Sequence, residues 1–211
     1  MSRLLAVAAT VVALSAPSLA GAQTINAAAT GLASPASTVT FEGNVPVGGD
    51  IGATYAGQGV SLTPGIVFGN VGWFSAVGGG QNAACNFCGN SGIVAPFDVM
   101  FAWAVNGSAF QFYTNPNTTT FTAYLNNVAV SSFSSATSYN PGATWFYGFD
   151  QSVQLDRIRI ATGADGAMVL DNLQIGAAVV ATPEPASLAL LGTGLLGIAG
   201  VVRRRRVSAS A

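Results

Sequence analysis

The stretch from Phe97 to Thr114, FDVMFAWAVNGSAFQFYT, decides the fold class of this chain of 211 residues. From Phe97 to Val105 an apolar residue occupies every second position, and Trp103 is one of them. This period of two predicts a long β-strand with one buried face, and it places Trp103 in the core. Asn106-Gly107 is a dipeptide that tight hairpin turns favour, so we expect a turn there and a second strand over Ala109–Thr114.

Short alternating or apolar stretches, separated by Gly, Asn and Pro, recur through residues 23–182, and no long segment has helical periodicity. About nine strands of this kind predict an all-β fold, an antiparallel β-sandwich or a barrel. Asn126-Asn127 predicts a further hairpin between two of them. The other predicted strands are Thr38–Glu42, Tyr55–Leu62, one or two within Gly65–Phe74, Thr119–Leu125, Val128–Phe133, Thr144–Phe149, Val153–Ile160 and Ala167–Ile175.

The apolar alternation changes phase once in each of the last two predicted strands, Val153–Ile160 and Ala167–Ile175. One extra residue per strand, a β-bulge, returns the apolar residues on both sides of the change to the core. We expect the bulges near Asp156-Arg157 and near Asp171-Asn172.

Charge and composition exclude several kinds of function. Residues 23–182 carry seven acidic and two basic residues, which gives a net charge of −5, and the chain contains no Lys and no His. Nucleic acids are therefore not expected as partners, because their phosphates require a basic patch. Ser-His-Asp and Cys-His sites, His-containing metal sites and Schiff-base lysines are excluded because the residues are missing.

Residues 1–22 have the features of a secretory signal peptide. Arg3 gives a positive start, Leu4–Ala16 is apolar but short for a membrane span, and Ala20-Gly21-Ala22 fits cleavage by signal peptidase before Gln23. A short N-terminal anchor is the alternative. Residues 23–37 are then expected to form a flexible N-terminal segment ahead of a sandwich domain over residues 38–176.

The end of the sequence combines a rigid acidic tripeptide, an apolar run and a basic cluster. Pro183-Glu184-Pro185 closes a linker over residues 177–185, and the uncharged run Ala186–Val202 is about 25 Å long as a helix. We expect a single transmembrane helix over this run, near the lower length limit for a span. The basic cluster would keep a tail over residues 203–211 cytoplasmic, so the domain faces the periplasm. Its members are Arg203, Arg204, Arg205 and Arg206.

This order of tripeptide, apolar helix and arginines resembles the PEP-CTERM sorting signal. The resemblance implies that the protein is held in the inner membrane, recognised by an exosortase and released to the cell surface or extracellular matrix. A permanent one-span anchor is the alternative. Tails of this type are also classified as an ice-binding protein C-terminal domain, but unrelated passengers share them, so the label implies little about ice.

The passenger domain has a likeness of its own. The stretches TVTFEG, ATYAGQGVSL, LDRIRI and MVLDNLQI resemble PEP-CTERM passengers with a jelly-roll, carbohydrate-binding-module-like sandwich. In such modules the first and last strands lie close and often hold a structural Ca²⁺, which implies a calcium site at Glu42 and Asp171 with Asp50 nearby. Ca²⁺ needs six to eight oxygens. The alternative is that these carboxylates are solvated or hydrogen-bonded to turn amides.

Residues 71–92, VGWFSAVGGGQNAACNFCGNSG, predict a long irregular loop that is either functional or a surface insertion. We expect Cys85 and Cys88 to form a local disulfide in an oxidising periplasm, because no further Cys or His is present to complete a zinc site. The bond would order a loop whose aromatic residues are the expected ligand site. These residues are Trp73, Phe74 and Phe87; Trp145, in contrast, is expected in the core.

These features together predict an exported, non-enzymatic surface or extracellular-matrix protein that an exosortase sorts and that binds exopolysaccharide. An ice-binding protein and a purely structural biofilm protein are the alternatives. A glycosidase needs two carboxylates, and Glu42 paired with Asp98 or Asp171 is the choice that this sequence offers. No cofactor is expected to be required, and the structural calcium stays one of two alternatives for the carboxylates.

Overall fold

The computed structural model describes residues 24–42, 46–70, 82–88, 93–138, 145–163 and 166–179. The chain divides into two compact units, residues 1–178 and 179–211, and every described residue except Val179 belongs to the first. The described residues form ten strands and one 3₁₀ turn, Ala56–Gln58. The strands are β1 (Thr24–Ala28), β2 (Ser37–Val39), β3 (Val60–Leu62), β4 (Val67–Asn70), β5 (Asn82–Cys85), β6 (Phe97–Thr114), β7 (Asn117–Leu125), β8 (Val128–Thr137), β9 (Phe146–Ala161) and β10 (Met168–Ile175).

Two long antiparallel strands, β6 and β9, organise the domain. The first half of β6 pairs with β3 and the second half with β10, while β9 pairs with β1 near its start and with β7 near its end. The ladder order β4-β5-β10-β6-β9-β7-β8 therefore folds over into two layers. One layer contains β1, β2, β4, β5 and β10, the other contains β3, β7 and β8, and both include parts of β6 and β9.

Aromatic rings fill the space between the layers. Phe121 of β7 stacks on Tyr147 of β9 with ring centroids 5.3 Å apart, and it meets Phe112 of β6 edge-on at 5.4 Å. Phe133 of β8 meets Phe149 of β9 edge-on at 5.4 Å. Stacked and edge-on pairs are both favourable, and burying each ring from water adds roughly 2–3 kcal/mol. The predicted all-β, antiparallel sandwich is confirmed, and Trp145 packs against this core as expected.

The hairpin predicted at Asn106-Gly107 is wrong. β6 continues from Phe97 to Thr114, and Gly107 forms a bulge with φ +76°, where the register against β9 shifts. A Cβ at position 107 would collide with the carbonyl oxygen of Asp150 in β9, so glycine lets the strands approach here. The dipeptide marks a corner at which β6 passes from one layer to the other.

The second predicted hairpin is confirmed. Asn126 and Asn127 connect β7 to β8 with φ values of +52° and +64°. Positive φ at both central residues is the geometry of a two-residue turn whose twist matches the flanking strands, and Asn tolerates it better than other non-glycine residues.

Both predicted phase changes coincide with register shifts. The register of β10 against β6 shifts between Asp171 and Gln174, and Asn172 has φ +47°. The register of β9 against β6 changes between Leu155 and Arg157, although there the extra residues belong to β6. Apolar residues on both sides of each shift are buried, as the bulges require.

Two predicted segments differ from the structure near the start of the domain. The expected flexible segment over residues 23–37 contains β1, which pairs with β9. Leu32 is buried against Ala109 and Phe146, and its N–H donates to Gln174 Oε1 at 2.6 Å, so apolar contact and hydrogen bonding fix this segment. The predicted strand Tyr55–Leu62 begins only at Val60, because residues 56–58 form the 3₁₀ turn.

The predicted signal peptide, the sorting tripeptide Pro183-Glu184-Pro185, the apolar helix over residues 186–202 and the cluster Arg203–Arg206 lie outside the described residues. Within the described part of the chain, no helix has the length and apolar character needed to cross a membrane.

Candidate functional site

Trp103 lies on the surface, and its predicted place in the core is wrong. The side chain is 51% exposed. The cause is the register change between β6 and β9: β6 advances five positions from Met100 to Val105 while β9 advances two, from Arg157 to Leu155. Of the four intervening residues of β6, Phe101 stays buried, whereas Ala102 and Trp103 are exposed. The bulge therefore interrupts the alternation at Trp103, and burial resumes at Val105.

The 3₁₀ turn beside β6 holds Trp103 in place. Gly59, directly after the turn, has φ +78°, and its carbonyl oxygen accepts a hydrogen bond from the N–H of Ala102 at 2.9 Å. A Cβ on Gly59 would lie 2.7 Å from Cη2 of the Trp103 ring. The absence of a side chain at Gly59 thus lets the indole lie against the backbone while the rest of the ring faces solvent.

An open groove of about 430 Å³ runs beside Trp103. It lies between the bulged part of β6, the β7–β8 turn and the middle of β9. Its lining residues are Met100, Phe101, Ala102, Trp103, Ala104, Asn126, Asn127, Asp156 and Arg157. This set is called the Trp103 groove below.

Arg157 provides the positive charge of the groove. Its guanidinium lies over the ring of Tyr124, 4.2 Å from the centroid, and its Nη1 is 3.6 Å from Asp98 Oδ2. Arg159 binds the same carboxylate through Nε and Nη2 at 2.9 and 3.0 Å, and this contact raises the pKa of Arg159. Because Arg159 makes the bidentate pair, Arg157 is the more loosely held of the two.

The β7–β8 turn adds polar side chains at the other end of the groove. The N–H of Asn126 donates to Asp156 Oδ2 at 2.6 Å, which fixes the turn against β9. The side chains of Asn126 and Asn127 are exposed. The groove therefore combines an exposed indole with amide, carboxylate and guanidinium groups, a set that suits a ligand with apolar faces and several hydroxyl groups.

Cys85 and Cys88 form a disulfide with an S–S distance of 2.08 Å. Cys88 approaches Gly69 of β4 so closely that a Cβ there would lie 2.5 Å from its Sγ. The loop predicted over residues 71–92 is in part a strand, because β5 pairs with β4 and β10. Of the three aromatic residues expected to bind a ligand in this segment, Phe87 is half-buried and packs against the cluster that contains Tyr113. Trp73 and Phe74 lie outside the described residues, so a ligand site on their rings stays a prediction.

The three carboxylates proposed for calcium do not form one group. Asp50 Oδ2 accepts a hydrogen bond from the N–H of Gly65 at 3.0 Å. Glu42 accepts hydrogen bonds from the backbone N–H and the side-chain amide of Asn82 at 3.4 and 3.3 Å. Over the ranges that the structure describes, no three acidic, His or Cys residues lie together in a way that would hold a metal ion. The Gly65 turn binds Asp50, and a role for this carboxylate in a calcium site stays a prediction.

Glu42 and Asp171 are nevertheless neighbours, because β2 pairs with β10, as the first and last strands of the predicted sandwich should. Asp171 is 1% exposed, and its pKa is raised to about 7, chiefly by burial. The hydrogen bond from the N–H of Asn172 at 2.7 Å opposes this rise, and the charge of Glu42 contributes to it. Burial raises the pKa of Tyr55 as well, with smaller contributions from Glu42 and Asp171. Two carboxylates fall well short of a calcium shell.

The comparisons with known proteins bear on the C-terminal end. Residues 181–206 match the family described as the PEP-CTERM protein-sorting motif. The chain carries a PEP-CTERM sorting motif. It is the signal of an exported protein that an exosortase handles, as the resemblance at Pro183-Glu184-Pro185 implied.

The comparisons say less about the domain that precedes the motif. No curated protein sequence matches the chain. Among solved structures, the carbohydrate-binding module TmCBM61 in complex with β-1,4-galactotriose is similar at 13% identity and a TM-score of 0.32, over 56% of this chain and 81% of that one. At such values the likeness carries no argument about what this domain binds.

Proposed function

We propose that this chain is an exported, non-enzymatic protein of the cell surface or extracellular matrix, and that its domain binds carbohydrate through the Trp103 groove. The exposed indole of Trp103 carries the proposal, because half of a large aromatic side chain is left in water beside several hydrogen-bonding groups. A sugar ring offers C–H groups to stack on the indole, and its hydroxyls match Asp156, Arg157 and the two asparagines.

The surroundings of the carboxylates support a binding rather than a hydrolytic role. Asp98 is paired with Arg159 and Arg157, and Asp171 is buried, so neither is a free partner for Glu42 at a glycosidic bond. Hydrolysis needs one carboxylic acid and one carboxylate on the two sides of the scissile bond. The loss of a measured polysaccharide hydrolysis on Glu42→Gln would replace this proposal with a glycosidase.

Membrane handling is the second half of the proposal. The signal peptide is removed before Gln23, the apolar run holds the protein in the inner membrane, and processing at the motif removes Arg203–Arg206 before release. The motif at residues 181–206 supports this sequence of events. Intact mass of the protein from the culture medium should start at Gln23 and lack the arginines. Recovery only as a membrane-bound chain that retains them would indicate a permanent anchor.

Removing the indole tests carbohydrate binding. Trp103→Ala should weaken binding to the best ligand of a polysaccharide panel at least about tenfold, the effect expected for a central aromatic anchor. Val47→Ala is the control, since Val47 is an exposed apolar side chain that does not line the groove. Equal affinities for Trp103→Ala, Val47→Ala and the unchanged protein would contradict the proposed site.

Ice binding is a second candidate, and one observation favours it. The outer face of β7 and β8 carries aligned hydroxyls, with Thr120 and Ser134 oxygens 2.8 Å apart and Thr122 and Ser132 oxygens 3.1 Å apart. These pairs bond to each other, which leaves fewer donors for an ordered water lattice. Thermal hysteresis that Thr122→Val abolishes and that Trp103→Ala leaves intact would establish this role in place of carbohydrate binding.

A further inference from the structure

The open side of β8 is the longest unpaired strand edge in the described residues. β8 stands at the end of the strand order and pairs only with β7 among them. The other sheet ends are short or covered: β3 has three residues, β1 has five, and residues 48–50 hydrogen-bond along β4. A row of free backbone N–H and C=O groups is a template for a further strand.

β8 has few of the features that keep an edge strand from pairing. Charged side chains, inward-pointing charges and proline normally block such edges. β8 contains none of these, and no charged residue occurs anywhere from residue 99 to 149. A bulge near Val130 interrupts the end beside the turn, but from Ser131 to Thr137 the register against β7 is regular. Thr137 is buried, so the six residues Ser131–Ala136, about the length of an average strand, are available for pairing.

Apart from Phe133, which packs against the core, the side chains of this edge are small and at least partly accessible from Ser131 to Ala136. Ser132, Ser134 and Ala136 are exposed on the outer face, while Phe133 and Ser135 alternate with them and stay partly accessible. Backbones pair at about 4.8 Å, and side chains of this size leave that approach open. The edge is thus shaped for a strand and not for a bulky ligand.

We propose that β8 pairs antiparallel with β8 of a second copy of this chain, about a two-fold axis at Ser134. Such an axis places Ser134 opposite Ser134 of the other copy, Ser132 opposite Ala136, and Phe133 opposite Ser135. No two large side chains and no two charges meet, so the strand is complementary to itself. A two-fold contact of this kind is closed and gives a dimer whose β-sheet continues across both copies.

The charge distribution favours a second copy over another occupant. Residues 23–182 carry a net charge of −5, so two copies repel each other over most of their surface. The uncharged stretch around β8 is where that repulsion is weakest. A positively charged partner would find no complement on this edge, and a negatively charged one would gain nothing over a copy of the chain itself.

A matched pair of variants of the full-length chain tests the proposal. Thr120 and Ser134 are cross-strand partners whose hydroxyls bond at 2.8 Å, so Ser134→Glu and Thr120→Glu lose the same contact and add the same charge. Only Ser134→Glu places two carboxylates opposite each other at the axis. Sedimentation in detergent should show a dimer for the unchanged chain, a dissociation constant at least about tenfold higher for Ser134→Glu, and little change for Thr120→Glu.

Disulfide cross-linking checks the register. Residues directly opposite each other in an antiparallel pair have Cα atoms about 4.5–5.5 Å apart, which is within the Cα–Cα range that disulfides span. Ser134→Cys should therefore give a covalent dimer on mild oxidation, and Thr120→Cys should not. The native cysteines do not compete, because they are already bonded to each other.

Several results would overturn the proposal. A monomer at every concentration excludes the dimer. If Ser134→Glu and Thr120→Glu both dimerise as strongly as the unchanged chain, the contact lies on another surface, such as residues 186–202. If both variants fold and lose dimerisation to the same extent, the contact is not specific to the edge of β8. Hydrogen exchange in which β8 amides are protected at all concentrations would show that another segment of the same chain covers the edge.

Discussion

The bulges in β6 and in β10 both insert extra residues into a strand, but they have opposite effects on the exposure of a nearby side chain. In β6 the extra residues after Met100 carry Trp103 out of the core and leave its indole half exposed. In β10 the bulge at Asn172 lies next to Asp171, whose carboxylate is buried beside Gln111 and Tyr113 of β6. The apolar indole of Trp103 is therefore exposed to water, whereas the carboxyl group of Asp171 is buried.

The difference lies in what covers each bulge. The bulge in β6 is beside the short 3₁₀ turn and β3, which cover little of it, whereas β10 lies between β6, β2 and β5. A bulge decides only which way a side chain points, and the neighbouring strands decide whether water reaches it. Both sites depart from the ordinary burial of their residue types, as functional or strained positions often do.

Removing the charge of Asp171 should have the largest effect. Its pKa is raised from the ordinary 3.8 to about 7, so the folded state binds the proton more tightly than the unfolded state. The stability from this group is therefore complete below about pH 4 and is lost as the pH rises through 7. Asp171→Asn should add a few kcal/mol to the free energy of unfolding at pH 8 and little at pH 4.

Chemical denaturation of both proteins at several pH values measures this effect. Asp150→Asn is a suitable control, because Asp150 lies at the surface, where it bonds to Ser152. An unchanged slope of stability against pH between 4 and 7 in Asp171→Asn would show that Asp171 is ionised in the folded protein, and so that a cation or other donor reaches it.

A side chain at Gly59 should break the other bulge. Gly59→Ala meets the Trp103 ring and forces a left-handed φ on alanine, which together cost about 1–2 kcal/mol of stability. Ring displacement should also change tryptophan fluorescence and weaken carbohydrate binding. Gly57→Ala is the matched control, since no atom lies within 4 Å of its added Cβ. Equal fluorescence and binding in both variants would mean that Gly59 does not position Trp103.

Calcium should have the smallest effect and would sharpen the comparison. If Ca²⁺ binds between Glu42 and Asp171, a concentration ten times the dissociation constant stabilises the folded state by about 1.4 kcal/mol. Millimolar Ca²⁺ at pH 8 should then raise the melting temperature. Asp171→Asn should remove most of the gain, and Asp50→Asn should keep it, because Asp50 binds Gly65 instead. No rise in the unchanged protein would exclude this calcium site.

Much of the fold is predictable from the sequence, because strand periodicity and turn residues depend on neighbouring residues. The alternation of β7 and β8, the turn at Asn126-Asn127 and the phase changes in β9 and β10 are all written in neighbouring residues. The hairpin prediction at Asn106-Gly107 was wrong because an isolated Asn-Gly dipeptide suits a hairpin turn and a β-bulge equally well. Only the passage of β6 between two layers, a property of the whole fold, decides between them.

The candidate site was missed for a related reason. The phase change at Asp156-Arg157 was visible in β9, but its extra residues lie across the ladder in β6, where the alternation through Trp103 has no visible break. The pairing of β6 with β9 is needed to show that the extra residues are residues 101–104 of β6. The neighbourhood of Glu42 and Asp171 was predictable from strand order, whereas the burial of Asp171 depends on strands that sequence alone does not arrange.

The chain leaves the sandwich at the Gly107 corner, and this has a mechanical consequence. Asn106 N–H donates to Ala177 O at 2.8 Å, Gly176 N–H donates to Gly107 O at 3.0 Å, and Val105 forms a bridge with Ala178. A pull on the chain from its C-terminal side reaches these bonds before it reaches β10. The hydrogen bonds at the Gly107 corner would therefore bear the tension first, and the pairing of β10 with its neighbouring strands would be loaded only after they break.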